Sequence, residues 1–253
     1  MLGGQDSDVA INKDEFLNLA KHVLPHCDNL YKHIYIMDCQ YLISTVQNLL
    51  QSAEYCYLQY YIEIAQIDCI HLEEKEILTT SSPESMNLMF YLETFFIKLY
   101  SILDIIVKII YELENPVEVF DTITKLNSSE KLWGDRKKLL ISKQVDTIFE
   151  KCETVRIIES LRNEAVHNGT WEFRPKVFIK FKEKEIVERY MLFPDIIDGR
   201  LASVKNRKHF FSTEKKVNDM LVLIHDDFYK RLLVTLQYIN RNTNRGDRQE
   251  ITS

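Results

Sequence analysis

From Tyr91 to Ile110 the chain reads YLETFFIKLYSILDIIVKII, and this stretch restricts the possible folds more than any other. Its polar members Glu93, Thr94, Ser101, Asp104 and Lys108, with Glu112 just beyond, fall within roughly 100° of one another on a helical wheel. Phe, Leu, Ile and Tyr fill the rest of the arc. Such a helix must be covered on most of its circumference, so the pattern predicts the central helix of a bundle. Glu93, Lys98, Asp104 and Lys108 also break the run short of the roughly 18 apolar residues that a membrane span needs, and no membrane association is expected. Ser82 before Pro83 and Glu84 marks the start of this helix, and Asn115-Pro116 marks its end.

Helical spacing recurs along most of the chain. Asn12 caps a short helix with Pro25 near its end, and residues 31–74 read as one long bent helix or two. A short helix is expected around Val117 to Leu126, and another from about Val145 to Asn168, closed by Gly169 as a left-handed cap. The period then switches to two. Val177, Ile179 and Phe181 alternate with Phe178, Lys180 and Lys182, and residues 186–192 alternate likewise, so a β-hairpin is expected within 171–193 with its turn at Lys182 to Glu185. A last helix follows from about Thr213 to Ile239. The fold class is therefore all-α, a helical bundle with a small inserted β-hairpin. The expected division is a helical extension over 1–81, the main helical domain over 82–241 and a flexible tail over 242–253.

With 45% hydrophobic residues in 253 the chain is long and apolar enough to bury a core, and six Gly argue against the Gly-rich turns of nucleotide-binding folds. No P-loop, GxGxxG, HExxH or GxSxG occurs, which removes the commonest enzyme classes. The formal charge of -6 is unevenly spread: residues 1–152 carry a net -10 and residues 153–253 a net +4. A polyanion would meet the second part. Five cysteines without a CxxC pair fit reduced thiols, and the absence of a basic, apolar leader at the start fits a cytoplasmic protein. The group His26, Cys27, His33 and Cys39 matches no common zinc frame, and neither a metal nor another cofactor is expected.

One constellation carries chemistry: Arg162-Asn163-Glu164-Ala165-Val166-His167, followed by Asn168-Gly169. With Arg162 at 0° on the wheel, Ile157, Leu161, Ala165 and Ile158 occupy about 220° to 320°, Asn163 lies at about 100° and His167 at about 140°. Arg162 and His167 address one ligand only if it is as large as a phosphodiester, or if two copies of the motif face each other. Arg162 offers a planar fork for phosphate oxygens, and the helix C-terminus favours an imidazolium at His167. A plain structural account stands beside this one, because Arg and His are common at helix ends and Arg162 can pair with Glu159 or Glu164.

A long aromatic-rich helix containing YLETFFIKLYSILD, followed by a helix ending in RNEAVH, resembles the HEPN superfamily, whose motif is Arg-x4 to 6-His with Asn often directly after the Arg. The likeness is nearest to the Cthe2314-like HEPN group and covers about residues 82–170, with 213–240 as a closing helix. It implies a metal-independent endoribonuclease acting as a homodimer, often a toxin or an antiviral, abortive-infection effector kept in check by an antitoxin or regulatory protein. It also implies that Arg162, Asn163 and His167 are the catalytic residues. Other HEPN domains are non-catalytic dimerisation or protein-binding modules, and that alternative stays open.

Glu93 is a candidate to support Arg162 or His167 from across the bundle, with a structural pairing as its alternative; Asp104 is weighed the same way. His225-Asp226-Asp227 resembles a metal fragment, but adjacent helical residues diverge by about 100°. Lys180, Lys182, Lys184 and Arg189, interleaved with Phe178, Phe181 and Tyr190, are candidates to hold an RNA backbone and stack its bases. A solvated strand face explains them equally well.

Overall fold

The computed structural model describes residues 23–29, 37–68, 76–114, 134, 136–202 and 211–246. Two long helices form its centre: α1 over Met37–Gln66 and α2 over Pro83–Glu114. The stretch read as one or two helices is thus a single helix among the described residues. Its buried stripe Cys39, Ile43, Val46, Leu50, Ala53, Tyr57, Tyr60 and Ile64 repeats at three and four residues, which keeps one face on the core throughout. α2 buries Leu88, Leu92, Phe95, Phe96, Leu99, Leu103 and Ile106 as its wheel requires. At its start Ser85 Oγ accepts the backbone N–H of Ser82 at 3.2 Å, a capping contact with Ser in the place of the usual Glu.

The chain then passes through two 3₁₀ turns, Arg136–Lys138 and Leu140–Lys143, into the motif helix α3 over Glu153–Asn168. Helix was expected from about Val145, and the structure corrects this. Residues 144–150 form turns and bends, with Asp146 at φ 59°, and 151–152 lead irregularly into α3. The segment is fixed by α4, the last helix, over Val217–Gly246. Ile148 N donates to Thr235 Oγ1, and Arg231 ties Glu150 at 2.8 Å and Asp227 at 2.9 Å. The apolar residues Ile148 and Phe149 reach the core without helical backbone, and their spacing imitated a helix. The short helix expected at 117–126 and the first turns after Asn12 lie outside the described residues. Residues 23–29 are helical through Pro25, and α4 continues into the segment expected as a tail.

β2 over Val177–Lys182 and β3 over Glu185–Tyr190 form the expected hairpin, with Val177, Ile179 and Phe181 buried. A third strand, β1 over Ile77–Thr80, pairs antiparallel with β2 in the register Ile77↔Lys180. Four residues of ILTT are too few for period-two alternation to stand out from the helices on either side. One hydrophobic core runs from α1 through α2, the hairpin and α4, so residues before 82 share the core of those after it. No helix among the described residues is long and apolar enough to cross a membrane.

A two-strand turn, β4 over Ile196–Ile197 and β5 over Arg200–Leu201, follows the hairpin. Asp195 anchors its base. The carboxylate accepts hydrogen bonds from Ser212 N and Oγ and from Thr213 N and Oγ1, at 2.5 to 2.9 Å. Thr213 therefore serves Asp195, and helix α4 starts later than expected, after Val217 N has bonded Met191 O. Burial opposes ionisation of Asp195, but the bonds from Ser212 and Thr213 override it and hold the carboxyl at about 2 against an ordinary 3.8. A depressed carboxyl stabilises the fold fully above its unfolded value and stops doing so as pH falls through its folded one. Asp195→Asn is expected to cost about 1 to 3 kcal/mol near neutrality. Urea midpoints of variant and wild type should converge as pH is lowered from about 4 toward 2.

Candidate active site

Helix α3 ends where the motif needs an exposed terminus. Val155, Ile157, Ile158 and Leu161 hold it on the core, and Gly169 stops it at φ 90° and ψ -49°. The positive φ was expected, although this ψ lies outside the left-handed helical basin and belongs to glycine alone. The turn at Gly169 carries Trp171 into the core, edge-on to Phe96 with ring centroids 5.9 Å apart. The end of α3 is thereby pinned to α2.

Arg162 lies half-buried on the α2 side of the helix. Its guanidinium carbon sits 4.7 Å from the centre of the Tyr100 ring, and its Nη1 donates to Asn163 Oδ1 at 2.9 Å. Stacking and hydrogen bond together fix the plane of the fork. Burial pushes the Tyr100 phenol up to about 12, with help from the Asp104 and Glu159 carboxylates and against the pull of Arg162 and Arg136. Asp104 thus acts on the platform beneath Arg162.

On the other side of α3 lies an open cleft of about 460 Å³, lined by Arg156, Glu159, Ser160, Asn163, Glu164, His167, Asn168 and residues 200–202. Asn163 belongs to both sides: it lines the cleft and accepts from Arg162. His167 is exposed there and makes no hydrogen bond among the described residues. Asn168 Nδ2 donates to Glu164 Oε2 at 2.8 Å, and Glu164 is buried at the cleft wall while Ala165 is half-buried. The structure therefore brings Asn163 and His167 into one cleft, whereas Arg162 lies outside its lining, on the α2 side, and reaches it only through Asn163.

Arg156, Ser160 and Arg200 were missed as members of this cleft. The wheel held the signal for two of them, since Arg156 falls at about 120° and Ser160 at about 160°, among Asn163 and His167. No local signal in the sequence brings Arg200 there. It arrives on the β4–β5 turn, which docks on α3 through Leu201 N donating to Ser160 Oγ at 2.9 Å.

Glu93 reaches the loop after the motif. Burial drives its carboxyl above the usual range while a hydrogen bond with Thr170 opposes this, and its Oε1 is buried without a partner among the described residues. Among the described residues Glu93 forms no hydrogen bond or ion pair with Arg162 or His167. On the hairpin, Lys180, Lys182 and Lys184 are exposed, whereas Arg189 Nε donates to Ile67 O at 2.6 Å and fastens the sheet to the end of α1. Phe181 is buried, and Phe178 and Tyr190 stack on each other at 5.3 Å. His225 is buried between Glu54 and Asp226, at 2.9 and 3.2 Å, and packs on Tyr57 and Tyr229. Its carboxylate partners raise its affinity for a proton although burial works the other way. Among the described residues no group of three or more His, Cys, Asp or Glu is placed to hold a metal ion, and Cys27, Cys39, Cys56 and Cys152 form no disulfide.

No curated protein and no solved structure was found to match the chain. A family model does, over residues 39–211, a span that contains all but the first two residues of α1, with α2, the motif helix and the sheet. The match begins inside the segment that the likeness read from the sequence left uncovered. The RNEAVH end of α3, displayed on an open cleft of a helical bundle, thus comes with family membership over most of the chain, and the protein belongs to the Cthe2314-like HEPN family.

Proposed function

We propose that the protein is a metal-independent endoribonuclease, acting in the cytoplasm on single-stranded or structured RNA as a toxin or antiviral effector under the control of an antitoxin or other regulatory protein. The observation that carries this reading is the arrangement of Asn163 and His167 in one open cleft, with the Arg162 fork behind Asn163, hydrogen-bonded to it and stacked on Tyr100. The RNA's own 2′-OH is the nucleophile. His167 moves the proton, the Arg162 fork stabilises the charge developing on the phosphorane, and Asn163 sets the fork's orientation. A phosphate-binding fork and a proton-transfer group on one helix end are what such a reaction needs.

Arg162 and His167 diverge by about 140° on α3, so a homodimer in which each cleft takes its arginine from one subunit and its histidine from the other completes the site. Mixing inactive Arg162→Ala and His167→Ala proteins tests this. After subunit exchange about a quarter of wild-type activity is expected, because half the dimers are mixed and one of their two clefts is intact. No recovery, with exchange verified, contradicts the shared cleft. The second reading, a non-catalytic dimerising or protein-binding module, draws on the exposed Tyr41, Tyr55, Met86 and Phe90 of α1 and α2, which form apolar surface on the acidic part of the chain.

A further inference from the structure

The cleft extends well beyond the motif. Arg156 lies eleven residues before His167 on the same face of α3, about 16 Å along the axis at 1.5 Å per residue. Arg200 lines the same end of the cleft from the β4–β5 turn. Neither guanidinium meets a carboxylate among the described residues; the one side-chain hydrogen bond of Arg156 runs from Nε to Cys152 O at 3.4 Å. Two arginines bordering a cleft without acidic partners are placed for an anion brought from outside.

The wall that carries them is built, not incidental. Gly199 turns at φ 76° directly against Arg156, where a Cβ would come within 2.8 Å of Arg156 Cβ and 3.1 Å of its Nε. A glycine at this turn lets it close on the arginine stem. Leu201 N bonds Ser160 Oγ, and Ala202 N bonds Asp195 O at 2.9 Å, so the turn is fastened to α3 on one side and to the Asp195 anchor on the other. Between the arginine end and the His167 end the lining includes Glu159, Ser160 and Glu164. The half-buried Glu159 carboxylate there repels a phosphate but accepts hydrogen bonds from base amino groups and ribose hydroxyls. Arginines at one end, His167 at the other and an acceptor between them suit a chain of alternating phosphates and nucleosides better than one compact anion.

We infer that Arg156 and Arg200 form a second phosphate-binding position, which grips the backbone of single-stranded RNA about two to five nucleotides from the phosphate held at His167, counting strand rises of about 3.4 Å upward. The inference rests on the nuclease reading for the identity of the strand. It makes the β4–β5 turn a device that sets how much RNA must lie on one side of the cut.

The test uses the full chain and a 2′-O-methyl RNA oligonucleotide, which lacks a free 2′-OH and stays whole. Binding is followed by fluorescence anisotropy over a range of salt for wild type, Arg156→Gln and Arg200→Gln. Each variant is expected to bind about threefold to tenfold more weakly. The slope of log affinity against log salt should fall by about 0.7 for each guanidinium removed from a phosphate. Arg200 is exposed at a turn, so its variant keeps the test valid if Arg156→Gln disturbs the packing on Gly199. In cleavage assays KM for long RNA should rise in both variants while turnover of a dinucleotide is unchanged. Wild-type affinity and slope in Arg200→Gln overturn the inference, as does a wild-type protein that does not bind the oligonucleotide. If binding depends on both arginines and yet no RNA is cut, the nuclease reading falls and the phosphate position stands.

Discussion

Changing His167 to alanine is expected to lower RNA cleavage by about 10²-fold or more while leaving the fold and the proposed dimer nearly untouched. The side chain is exposed on the cleft and makes no hydrogen bond among the described residues, so only its place at the helix C-terminus contributes to stability. That contribution is a few tenths to about 1 kcal/mol. A kinetic loss of this size with a melting temperature shifted by only a few degrees separates chemistry from scaffolding. Wild-type cleavage by the His167→Ala protein would remove the motif from the mechanism and favour the binding-module reading.

Arg162→Lys is expected to be as damaging for a different reason. The lysine keeps the charge and most of the stem but has no planar fork to lie on Tyr100 and donate to Asn163 Oδ1 at the same time. Loss of a preorganised donor at the phosphorane costs about 10²- to 10³-fold in turnover. Without the stack and the hydrogen bond the fold is less stable by about 1 to 2 kcal/mol, a drop of several degrees at most for a chain of this size. RNA affinity should be largely retained, because the charge remains. Single-turnover rates and anisotropy on the same preparation read the two effects separately; a wild-type single-turnover rate contradicts the role given to the fork.

The sequence made the bundle legible where periodicity was long and strong. α2 falls where its polar stripe put it, and the hairpin buries the three residues that its alternation selected. Reading stopped where tertiary contacts replace local pattern. Residues 144–150 carry apolar spacing that looks helical, yet Arg231 and Thr235 of α4 hold them in turns. β1 is too short to announce itself, and Thr213 was read as helix although its bonds to Asp195 come from eighteen residues away. The motif residues lay in plain view at a helix end, whereas Arg200 joins their cleft only through the docking of a turn forty residues from Ser160 in sequence. Arg189, read as a candidate for RNA, holds the sheet to α1, a contact across 122 residues that no local window contains.

The central claim is that this cleft cuts RNA with its own side chains and the substrate's 2′-OH. Incubating purified protein with mixed-sequence RNA and with DNA of the same sequences, in excess EDTA, and identifying the new ends tests it most directly. The account predicts RNA cleavage that persists in EDTA, 2′,3′-cyclic phosphate and 5′-OH ends, and intact DNA, since DNA lacks the 2′-OH. Full loss of cleavage in EDTA, or equal cutting of DNA, would contradict it.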